Sequence, residues 1–589
     1  MDYRLKPAEA EGKRDTLLSA GRALAPLLVE EKRNIAIALA CVIVTSSANL
    51  LGPALVARVI NTAMKHGDYG VLLRYAGLLA LVYLAALGTS YVQTVCMGTV
   101  GRNVVFRLRN RLFTQLSRLP IAFFAQNRAG DLISRVNNDT DKLSQFFSQS
   151  LMQMFGNIFL MLGAGILLLA LNWELGVAAL LPAVAIFVIT RVLSPWVKRT
   201  SRRNLEALGA LSGDVSESFA NFQVIVAYDR LDYFREKFAA ANTRNYQAAV
   251  RAGIASGLFT PLFTLAGSAA SITVLALGVA LIGRGEVSIG LLIGYLLYVP
   301  SFYNPLRQLA NVWSSLQLAT AALDRVSEVL ALESNLAEHP EAPEAPGRAA
   351  GALLAFEDVG FAYPGGQRVL DHVSLTLERG KTYALVGPTG GGKTTTAMLM
   401  ARLYDPVEGT VYLDGRDIRS LTSAERAERI GFILQEPFLF SGTVRDNIVY
   451  GLAALEGLSD EALTERLVAQ DLAGFVDRFS EGLATPIKRG GDNLSLGQKQ
   501  LVAFLRAVLR EPEILILDEA TANIDTVTEQ LLEEVLTNLP PATTKVIIAH
   551  RLNTIQNADE IFFVGGGGLT PAGSMEHAMD MLLHETRTS

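Results

Sequence analysis

The chain is poor in charge and in cysteine, and these shortages exclude several classes of protein. Charged residues make up 19% of the 589 residues, whereas soluble proteins average about 25%. The two cysteines, Cys41 and Cys96, are too few for a disulfide framework or a cysteine metal site. A net charge of −5 favours no polyanionic partner, and no nucleic acid is expected. Hydrophobic residues reach 50% and the mean hydropathy is +0.30, which predicts a membrane portion.

The N-terminal residues also lack the pattern of a cleavable signal peptide. The first residues mix both charges and lack a short apolar core followed by small residues. Within residues 1–33, the segment 17–29 has clustered apolar positions and is followed by Glu30-Glu31-Lys32-Arg33. This pattern predicts a cytoplasmic N-terminal helix that lies on the membrane surface before the first span.

Long apolar stretches dominate the first half of the chain. Each is close to the ~20 residues that cross a bilayer as a helix. The six stretches cover residues 35–60, 71–95, 151–171, 175–192, 258–282 and 289–303. Pro195 and Pro300 shorten the fourth and the sixth, and both helices could continue beyond these bends. Counts of five or seven spans remain as alternatives. No charged residue lies in the middle of a span to indicate an ionic cargo.

The connections between the stretches predict their orientation. The long connection after the second stretch carries seven arginines from Arg102 to Arg135, and the connection after the fourth is similarly basic. The other connections are short. By the positive-inside rule, both long connections and both chain termini face the cytoplasm. Aromatic residues at their bends, residues 121–135 and 217–229, suggest docking into another domain.

A change in composition predicts the domain boundaries. Residues 34–325 form a six-helix α-helical transmembrane domain, and residues 326–350 form a linker that is acidic and rich in proline from Glu333 onward. In residues 351–589, strands alternate with helical stretches, as is typical of a soluble α/β domain. This part is long enough for a core of its own.

A glycine-rich run follows an apolar, β-prone segment and precedes a helical one. It reads Gly387-Pro388-Thr389-Gly390-Gly391-Gly392-Lys393-Thr394. In that context, backbone N–H groups and the helix N-terminus surround phosphate oxygens. Lys393 can reach the β- and γ-phosphates of a nucleotide, and the Thr394 hydroxyl can ligate Mg²⁺. The run therefore predicts a P-loop that binds ATP and Mg²⁺.

A second phosphate-chemistry motif ends a run of four aliphatic residues, 514–517, that suits a buried parallel strand. Asp518 and Glu519 follow at the carboxyl end of this strand, where open α/β sheets place their ligands. Asp518 can hold Mg²⁺, directly or through water. Glu519 can act as the general base that polarises the attacking water.

A further helix start lies at residues 493–500. Ser495 and Gly497 precede a helical stretch and predict another helix N-terminus that faces phosphate. One nucleotide does not need two such termini from one domain. The chain has a single glycine loop of this kind. The helix N-terminus at Ser495 is therefore expected to face a nucleotide bound by a second polypeptide.

These motifs, in this order, resemble one known family. The soluble half is similar to the nucleotide-binding domain of ATP-binding cassette (ABC) transporters. Residues 15–589 resemble an exporter-type half-transporter of the multidrug and lipid subfamily, with a six-helix transmembrane domain and a cytoplasmic α/β P-loop domain. The P-loop is 387–394, the Walker B strand is 514–519, and the signature is Leu494-Ser495-Leu496-Gly497-Gln498. The signature has Leu496 where the family often has glycine, while Ser495 and Gly497 remain.

The resemblance implies roles for further residues. Tyr363 would stack on adenine, and Gln435 would sense Mg²⁺ as the Q-loop residue. Asp525 would belong to the D-loop, and His550 would contact the γ-phosphate as the switch histidine. Thr395 would join the P-loop residues in binding ATP. Ser495, Leu496, Gly497 and Gln498 would bind the partner's ATP. The bends at 121–135 and 217–229 would be coupling helices.

The predicted function is ATP-driven export by alternating access of two chains in a lipid bilayer. The cargo is expected to be a hydrophobic small molecule, a lipid or a peptide, and the membrane to be a bacterial inner membrane. Candidate cavity residues, which could equally be helix-packing groups, are Asn49, Asn61, Tyr91, Gln93, Gln153, Asn157, Tyr295, Tyr298, Tyr303 and Asn304. A homodimer is favoured. The alternatives are the competent subunit of a heterodimer and an exporter-fold importer of a chelate-type cargo.

Overall fold

The computed structural model describes residues 3–5, 26, 29–66, 69–334, 336, 352–518, 526–548 and 557–588. Contacts divide the chain into two compact units. The membrane unit consists of Lys6–Gln115 and Gly130–Ala331, and the nucleotide unit of Met1–Leu5, Leu116–Ala129 and Leu332–Ser589. The predicted surface helix at residues 17–29 lies almost entirely outside the described residues.

Six helical segments of the described chain are long and apolar enough to cross a membrane. A short 3₁₀ turn, Val29–Glu31, precedes the first of them. The helices from residue 32 to residue 330 are α1 (Lys32–His66), α2 (Tyr69–Leu116), α3 (Ile121–Gln126), α4 (Ala129–Ser134), α5 (Thr140–Gln145), α6 (Leu151–Leu171), α7 (Trp173–Ala220), α8 (Phe222–Ala227), α9 (Leu231–Gly257), α10 (Phe259–Gly283) and α11 (Ile289–Leu330). Helices α3 and α8 lie between spans. The third span runs from α4 through α6, and the fifth combines α9 and α10. The prediction of six spans is confirmed.

Prolines do not end the fourth and sixth spans. Helix α7 continues through Pro182 and Pro195, and α11 continues through Pro300 and Pro305. Neighbouring helices and local adjustment of the backbone compensate for the hydrogen bonds that proline removes. Both helices therefore extend far beyond the apolar stretches that the sequence marks.

The third span contains two π-helical turns, Arg135–Asp139 and Phe146–Ser150. They flank α5, and each replaces an α turn within an otherwise continuous helix. The first turn carries two buried charged residues. Arg135 pairs with Glu328 at 2.7 Å and with Asp131 at 3.0 Å, and Arg325 lies 3.3 Å from the buried Asp139.

The core of the membrane unit gathers around three tyrosines of α11. Tyr295 donates to the carbonyl oxygen of Leu168 and Tyr298 to that of Leu50. The Tyr303 hydroxyl donates to the carbonyl oxygen of Ala179. All three rings are buried in one apolar cluster with parts of α1, α6, α7 and α10. Their hydroxyl groups therefore hold helices together.

The nucleotide unit combines strands and helices from residue 352 onward. Its strands are β1 (Ala352–Ala362), β2 (Arg368–Glu378), β3 (Thr382–Val386), β4 (Glu408–Leu413), β5 (Arg416–Asp417), β6 (Ile430–Ile433), β7 (Gly442–Thr443), β8 (Pro486–Ile487), β9 (Ile514–Asp518), β10 (Thr544–Ile548), β11 (Glu560–Gly565) and β12 (Gly568–Pro571). Its helices are α12 (Lys393–Met400), α13 (Ser423–Arg429), α14 (Val444–Ile448), α15 (Ala453–Glu456), α16 (Asp460–Ala469), α17 (Ala473–Val476), α18 (Leu496–Val508), α19 (Thr526–Asn538) and α20 (Met575–Thr588).

Two larger sheets organise these strands. The first is antiparallel, with the order β2-β1-β4-β5, and the second has the order β12-β11-β3-β10-β9-β6. In the second sheet, β11, β3, β10, β9 and β6 run parallel. Both faces of this sheet are covered. Leu515 and Leu517 of β9 enter one buried cluster, and Ile514 and Ile516 enter the other, because successive side chains of a strand point to opposite faces.

Candidate functional site

The order of the second sheet gathers the predicted nucleotide motifs at one edge. Strands β3, β10, β9 and β6 are neighbours, so their carboxyl ends meet there. The glycine loop follows β3, Asp518 ends β9, and Gln435 follows β6 by two residues. Ligands of open α/β sheets bind at this edge. Sequence separation hides this proximity, because β3 and β9 are more than a hundred residues apart.

The glycine loop wraps around the ammonium group of Lys393. Lys393 Nζ donates to the carbonyl oxygens of Gly387 at 2.9 Å and Pro388 at 3.0 Å, and the side chain is buried. Gly387 has a φ of +152°, and a Cβ there would lie 2.1 Å from the carbonyl oxygen of Val564. Gly392, directly before α12, has a φ of +106°. Both positions therefore require glycine.

Two candidate Mg²⁺ ligands meet beside this loop. The Thr394 hydroxyl, in the first turn of α12, donates to Oδ1 of Asp518 at 3.2 Å. Asp518 is only 2% exposed at the end of β9. A hydroxyl and a carboxylate are oxygen ligands of the kind that Mg²⁺ accepts, usually together with waters and phosphate oxygens. Gln435 is exposed, as a group that reaches toward a bound nucleotide would be.

Tyr363 lies just after β1 and is tied to the glycine-loop helix. Its hydroxyl is 3.0 Å from the hydroxyl of Thr395 in α12. The ring packs edge-to-face against Phe361 and Tyr404, with centroids 5.0 and 5.4 Å away. It is half-buried, which leaves part of the ring accessible. The structure thus brings Tyr363 to the same helix as the loop.

Three predicted site residues lie outside the described residues. They are Glu519, Asp525 and His550. Glu519 directly follows Asp518 in the chain, and His550 comes two residues after Ile548, the end of β10. Strands β9 and β10, which precede Glu519 and His550, are hydrogen-bonded neighbours, and Ile548 lies opposite Asp518.

The signature residues form the start of α18. Ser495 caps the helix: its hydroxyl oxygen accepts from the Gln498 N–H at 3.2 Å, and the Gln498 side chain accepts from the Ser495 N–H at 3.0 Å. This capping box satisfies two backbone donors. Among the described residues the Ser495 hydroxyl donates no hydrogen bond, so its proton is available for an anion. Leu496 is 41% exposed, so the larger side chain is accommodated without burial.

Described residues of the membrane unit line two cavities beside α11. The larger, of about 430 Å³, is lined by the predicted residues Asn49, Asn157 and Asn304 together with Gln308 and Tyr83. The smaller, of about 270 Å³, lies between α10 and α11 and includes Arg307. Sequence reasoning missed Arg307 because the predicted sixth span stopped at residue 303, before Pro305.

Other predicted cavity residues have different roles. Tyr295 and Tyr298 are enclosed in the helix core described above. Asn61 donates to the Ser288 hydroxyl and accepts from the Gly290 N–H, so it joins α1 to the start of α11. Tyr91 is 71% exposed on α2 and lines neither cavity.

Comparisons with known proteins agree with this architecture. A family model described as ABC transporter transmembrane region matches residues 35–306, and one described as ABC transporter matches residues 370–522. The Uncharacterized ABC transporter ATP-binding protein YfiC of Bacillus subtilis is 35% identical over 578 residues, covering 97% of this chain and 93% of the relative.

Two further relatives carry functional names. The Fatty acid ABC transporter ATP-binding/permease protein of Mycobacterium tuberculosis is 33% identical, covering 86% of this chain and 79% of its own length. The Multidrug resistance ABC transporter ATP-binding and permease protein of Lactococcus lactis is 30% identical, and the match covers 90% of this chain and 88% of the relative.

Six membrane-length helices joined to a P-loop α/β unit define an ATP-driven membrane transporter. The chain belongs to the ABC transporter family. It is a multi-pass membrane protein with an ATP-binding domain, and it resembles the half-transporters of multidrug and lipid exporters.

Proposed function

We propose that two copies of this chain hydrolyse ATP and use its energy to move an amphipathic or hydrophobic molecule out of the cytoplasm or the inner leaflet. The observation that carries the proposal is the hydrogen bond between Thr394 and Asp518. It joins the predicted phosphate-binding loop to the predicted metal-binding acid, in a chain whose described residues include six helices long enough to cross a membrane. Such a chain combines a unit that can hydrolyse ATP with a unit that can provide a pathway across the membrane.

The nucleotide site is proposed to work with Mg²⁺. Thr394, Asp518 and Gln435 would hold the ion, which neutralises charge on the transferred phosphoryl group. Lys393 would release its carbonyl partners and bind the β- and γ-phosphates instead. Glu519 would polarise the attacking water, and Tyr363 would stack on adenine. His550 would contact the γ-phosphate beside them.

The second chain is proposed to complete each site. Ser495 begins α18 with a proton free to donate and with the helix N-terminus behind it. In the proposed dimer this helix N-terminus would face the glycine loop of the partner chain. It would then bind the γ-phosphate of the partner's ATP across the interface. Asp525 would lie at that interface. ATP would then favour the closed dimer over the open one, which is the two-state bias that drives alternating access.

Two short helices are proposed to transmit this closure. Helix α3 carries Phe123 and Phe124, and α8 carries Phe222. Each lies in one of the basic connections that the positive-inside rule assigns to the cytoplasm. In this role they would be coupling helices, and both chain termini would be cytoplasmic. The three relatives come from bacteria, which supports a bacterial inner membrane.

The cargo class follows from the cavities and the relatives. Both cavities combine polar groups with apolar walls, as amphipathic molecules require. The relatives are named for fatty acids and for multidrug resistance. Export is proposed over uptake because one relative is named for multidrug resistance, and removal of a drug from the cell is a direct route to resistance.

Reconstitution tests the proposal. The purified chain would be placed in vesicles, and ATP hydrolysis and cargo movement would be measured across a panel of lipids, drugs and peptides. A homodimer predicts ATPase activity without any other protein, stimulated by one class of cargo. Activity that appears only with a second half-transporter would instead establish a heterodimer.

A further inference from the structure

The residues Tyr3, Arg4 and Leu5 form a short segment outside any helix or strand. We call residues 3–5 the N-terminal strap. The strap belongs to the nucleotide unit, as does the short helix α3. Chain ends are poorly ordered unless specific contacts hold them. The strap therefore needs contacts that outweigh the conformational entropy lost when it docks.

Two carboxamide side chains at the end of α3 bind the backbone of the strap. The Tyr3 N–H donates to Oε1 of Gln126 at 2.9 Å, and the Leu5 N–H donates to Oδ1 of Asn127 at 3.0 Å. Asn127 Nδ2 in turn donates to the carbonyl oxygen of Tyr3 at 2.9 Å. One carboxamide thus pairs with a carbonyl and with the N–H two residues later, as the peptide groups of a neighbouring strand do.

The side chain of Asn127 is held in place by α3 itself. Asn127 is the C-cap of this helix, with extended backbone at φ −123° and ψ 136°. Its Nδ2 group also donates to the carbonyl oxygen of Phe123 at 2.8 Å, which is one of the carbonyls left open at the helix end. The carboxamide is therefore already oriented for the strap, and this lowers the entropy cost of docking.

The Tyr3 side chain joins α3 to the segment that follows α11. It is 2% exposed, and its ring meets the buried Phe123 ring edge to face, with centroids 6.4 Å apart. Its hydroxyl donates to the carbonyl oxygen of Glu333 at 3.1 Å. Helix α11 ends at Leu330, so this carbonyl lies just after the sixth span. Burial of the ring supplies apolar contact area that a three-residue segment otherwise lacks.

The side chain of Arg4 extends to a third element, the turn between β1 and β2. A Cβ on Gly365 would be 4.0 Å from Arg4 Nη2, so the guanidinium group lies beside this turn. The Gly366 N–H closes the turn by donating to the carbonyl oxygen of Tyr363 at 2.9 Å. Tyr363 is the residue proposed to stack on adenine. The strap therefore connects α3 with the turn that begins at the proposed adenine site.

We infer that the end of α3 and the Glu333 carbonyl form a peptide-binding site, which the N-terminal strap of the same chain occupies. The strap fastens α3 to the turn between β1 and β2, so that the change caused there by ATP is passed to α3. This rests on the proposed transport function, in which α3 is a coupling helix. Release of the strap would leave α3 less tightly connected to the nucleotide site.

Trypsin tests docking of the strap without nucleotide. It cleaves after Arg4, and cleavage requires that the segment leave its contacts. The full chain in phosphatidylcholine nanodiscs is treated with trypsin, and the initial release of residues 1–4 is followed by mass spectrometry. A synthetic peptide of residues 1–8 gives the rate for an undocked segment. Release from the unaltered chain should be at least about tenfold slower, because cleavage follows the population of the open form.

Matched variants assign the protection to the site. Gln126→Met removes the acceptor of the Tyr3 N–H without changing the cleaved segment, and should raise the release rate about tenfold. Tyr3→Ala should release as fast as a peptide with the same change, and Tyr3→Phe, which keeps the ring, should be slower than Tyr3→Ala. The control is Tyr69→Ala, because Tyr69 is 84% exposed at the start of α2. It should keep the rate of the unaltered chain.

Hydrogen exchange tests the transmission of ATP binding to α3. In the Glu519→Gln background, which is expected to retain ATP, exchange of the α3 amides is measured with and without ATP and Mg²⁺. ATP should slow this exchange. Adding Tyr3→Ala should remove most of the effect of ATP, and adding Tyr69→Ala should remove none of it. A strap with a structural role alone would change exchange equally with and without ATP.

Three results would overturn the inference. They are release from the unaltered chain as fast as from the peptide, equal release rates in Gln126→Met and Tyr69→Ala, and an effect of ATP on α3 that survives Tyr3→Ala. The first two exclude a docked strap, and the third excludes transmission through it. ATP hydrolysis is measured on the unaltered chain in the same nanodiscs. Slow release without any hydrolysis would contradict the proposed transport function and leave the docked strap intact.

Discussion

Lys393 Nζ lies 2.9 Å from the carbonyl oxygen of Gly387, within the same loop of the chain. The ammonium group thus already occupies the centre of the loop, where phosphate oxygens are expected to bind. The geometry of the loop therefore depends on the same side chain that would bind the nucleotide.

Lys393→Ala should weaken ATP binding by about tenfold or more, because it removes charged hydrogen bonds to phosphate. The measurement is a titration of the full chain with a fluorescent ATP analogue. Lys381→Ala is the matched control, since Lys381 is in the same unit and pairs at the surface with Glu378. Equal affinities in both variants would refute the P-loop assignment.

Glu519→Gln should lower ATP hydrolysis by about 10²- to 10⁴-fold while ATP remains bound, because the general base is lost and the metal site is kept. The readouts are phosphate release and the nucleotide retained after gel filtration. Vigorous turnover in this variant would remove Glu519 from the catalytic role.

A complementation experiment addresses the position of Ser495. Ser495→Asp keeps a good helix cap but places a negative charge where phosphate is expected. In a Glu519→Gln background, dimers of this variant alone and of Lys393→Ala alone should retain no ATP. Mixed dimers of the two should regain one intact site, made by the unaltered loop of one chain and the unaltered signature of the other.

The retained nucleotide is counted in each purified dimer. A single nucleotide in the mixed dimer supports a signature that acts across the interface. If the mixed dimer is as empty as its parents, Ser495 acts on the ATP of its own chain and the proposed dimer site is wrong.

A buried ion pair in the membrane unit should contribute strongly to stability. Arg135 is 1% exposed and contacts Glu328 and Asp131. Arg135→Ala removes this cation from Glu328, while Asp131 keeps its pair with Arg325, and should cost about 2 kcal/mol through the lost charged hydrogen bonds. Arg202→Ala, which breaks the exposed pair with Glu206, should cost less than about 0.5 kcal/mol. Unfolding in denaturing detergent compares them, and equal losses would contradict the structural role.

Glu513 should confer a pH-dependent stability on the nucleotide unit. Its hydrogen bond with Arg429, reinforced by Arg379, lowers the pKa of its carboxyl group against the opposing effect of burial. A lowered folded-state pKa adds stability above the unfolded value of about 4.3 and loses it as the pH falls through the folded value. Glu513→Gln should be less stable by about 1 kcal/mol at pH 7.

The same variant should approach the unaltered chain in stability as the pH falls below about 4. Thermal unfolding of the full chain in detergent across this range provides the measurement. A gap that widens toward acid pH would reverse the assigned sign.

The sequence predicted the elements whose signals are local. Spans, the glycine loop and the strand before Asp518 each depend on composition or spacing within about twenty residues. The contact between Thr394 and Asp518 cannot be predicted from such local signals. It joins residues far apart in the chain, and the order of the parallel strands brings them together. The residues alone already assigned Mg²⁺ to both Thr394 and Asp518, but they did not give the strand order that brings the two side chains together.

The cavity was the hardest part to predict. Tyr295 and Asn304 lie on the same helix and look equally suited to line a cavity, yet Tyr295 is fully buried and Asn304 lines both cavities. Which face of a membrane helix meets a neighbour is decided by packing that hydropathy does not encode. Arg307 was missed for another reason: the helix continues through Pro305.

The two π-helical turns of the third span have a consequence for insertions and deletions. A π turn holds one residue more than an α turn in the same stretch of helix. Deleting Asn138, an exposed residue of the first turn, would therefore restore an α turn, and the helix on either side would keep its orientation. A relative with a regular α-helix here would have one residue fewer in this span. The alignment gap then belongs inside the span, although gaps within membrane helices are ordinarily avoided.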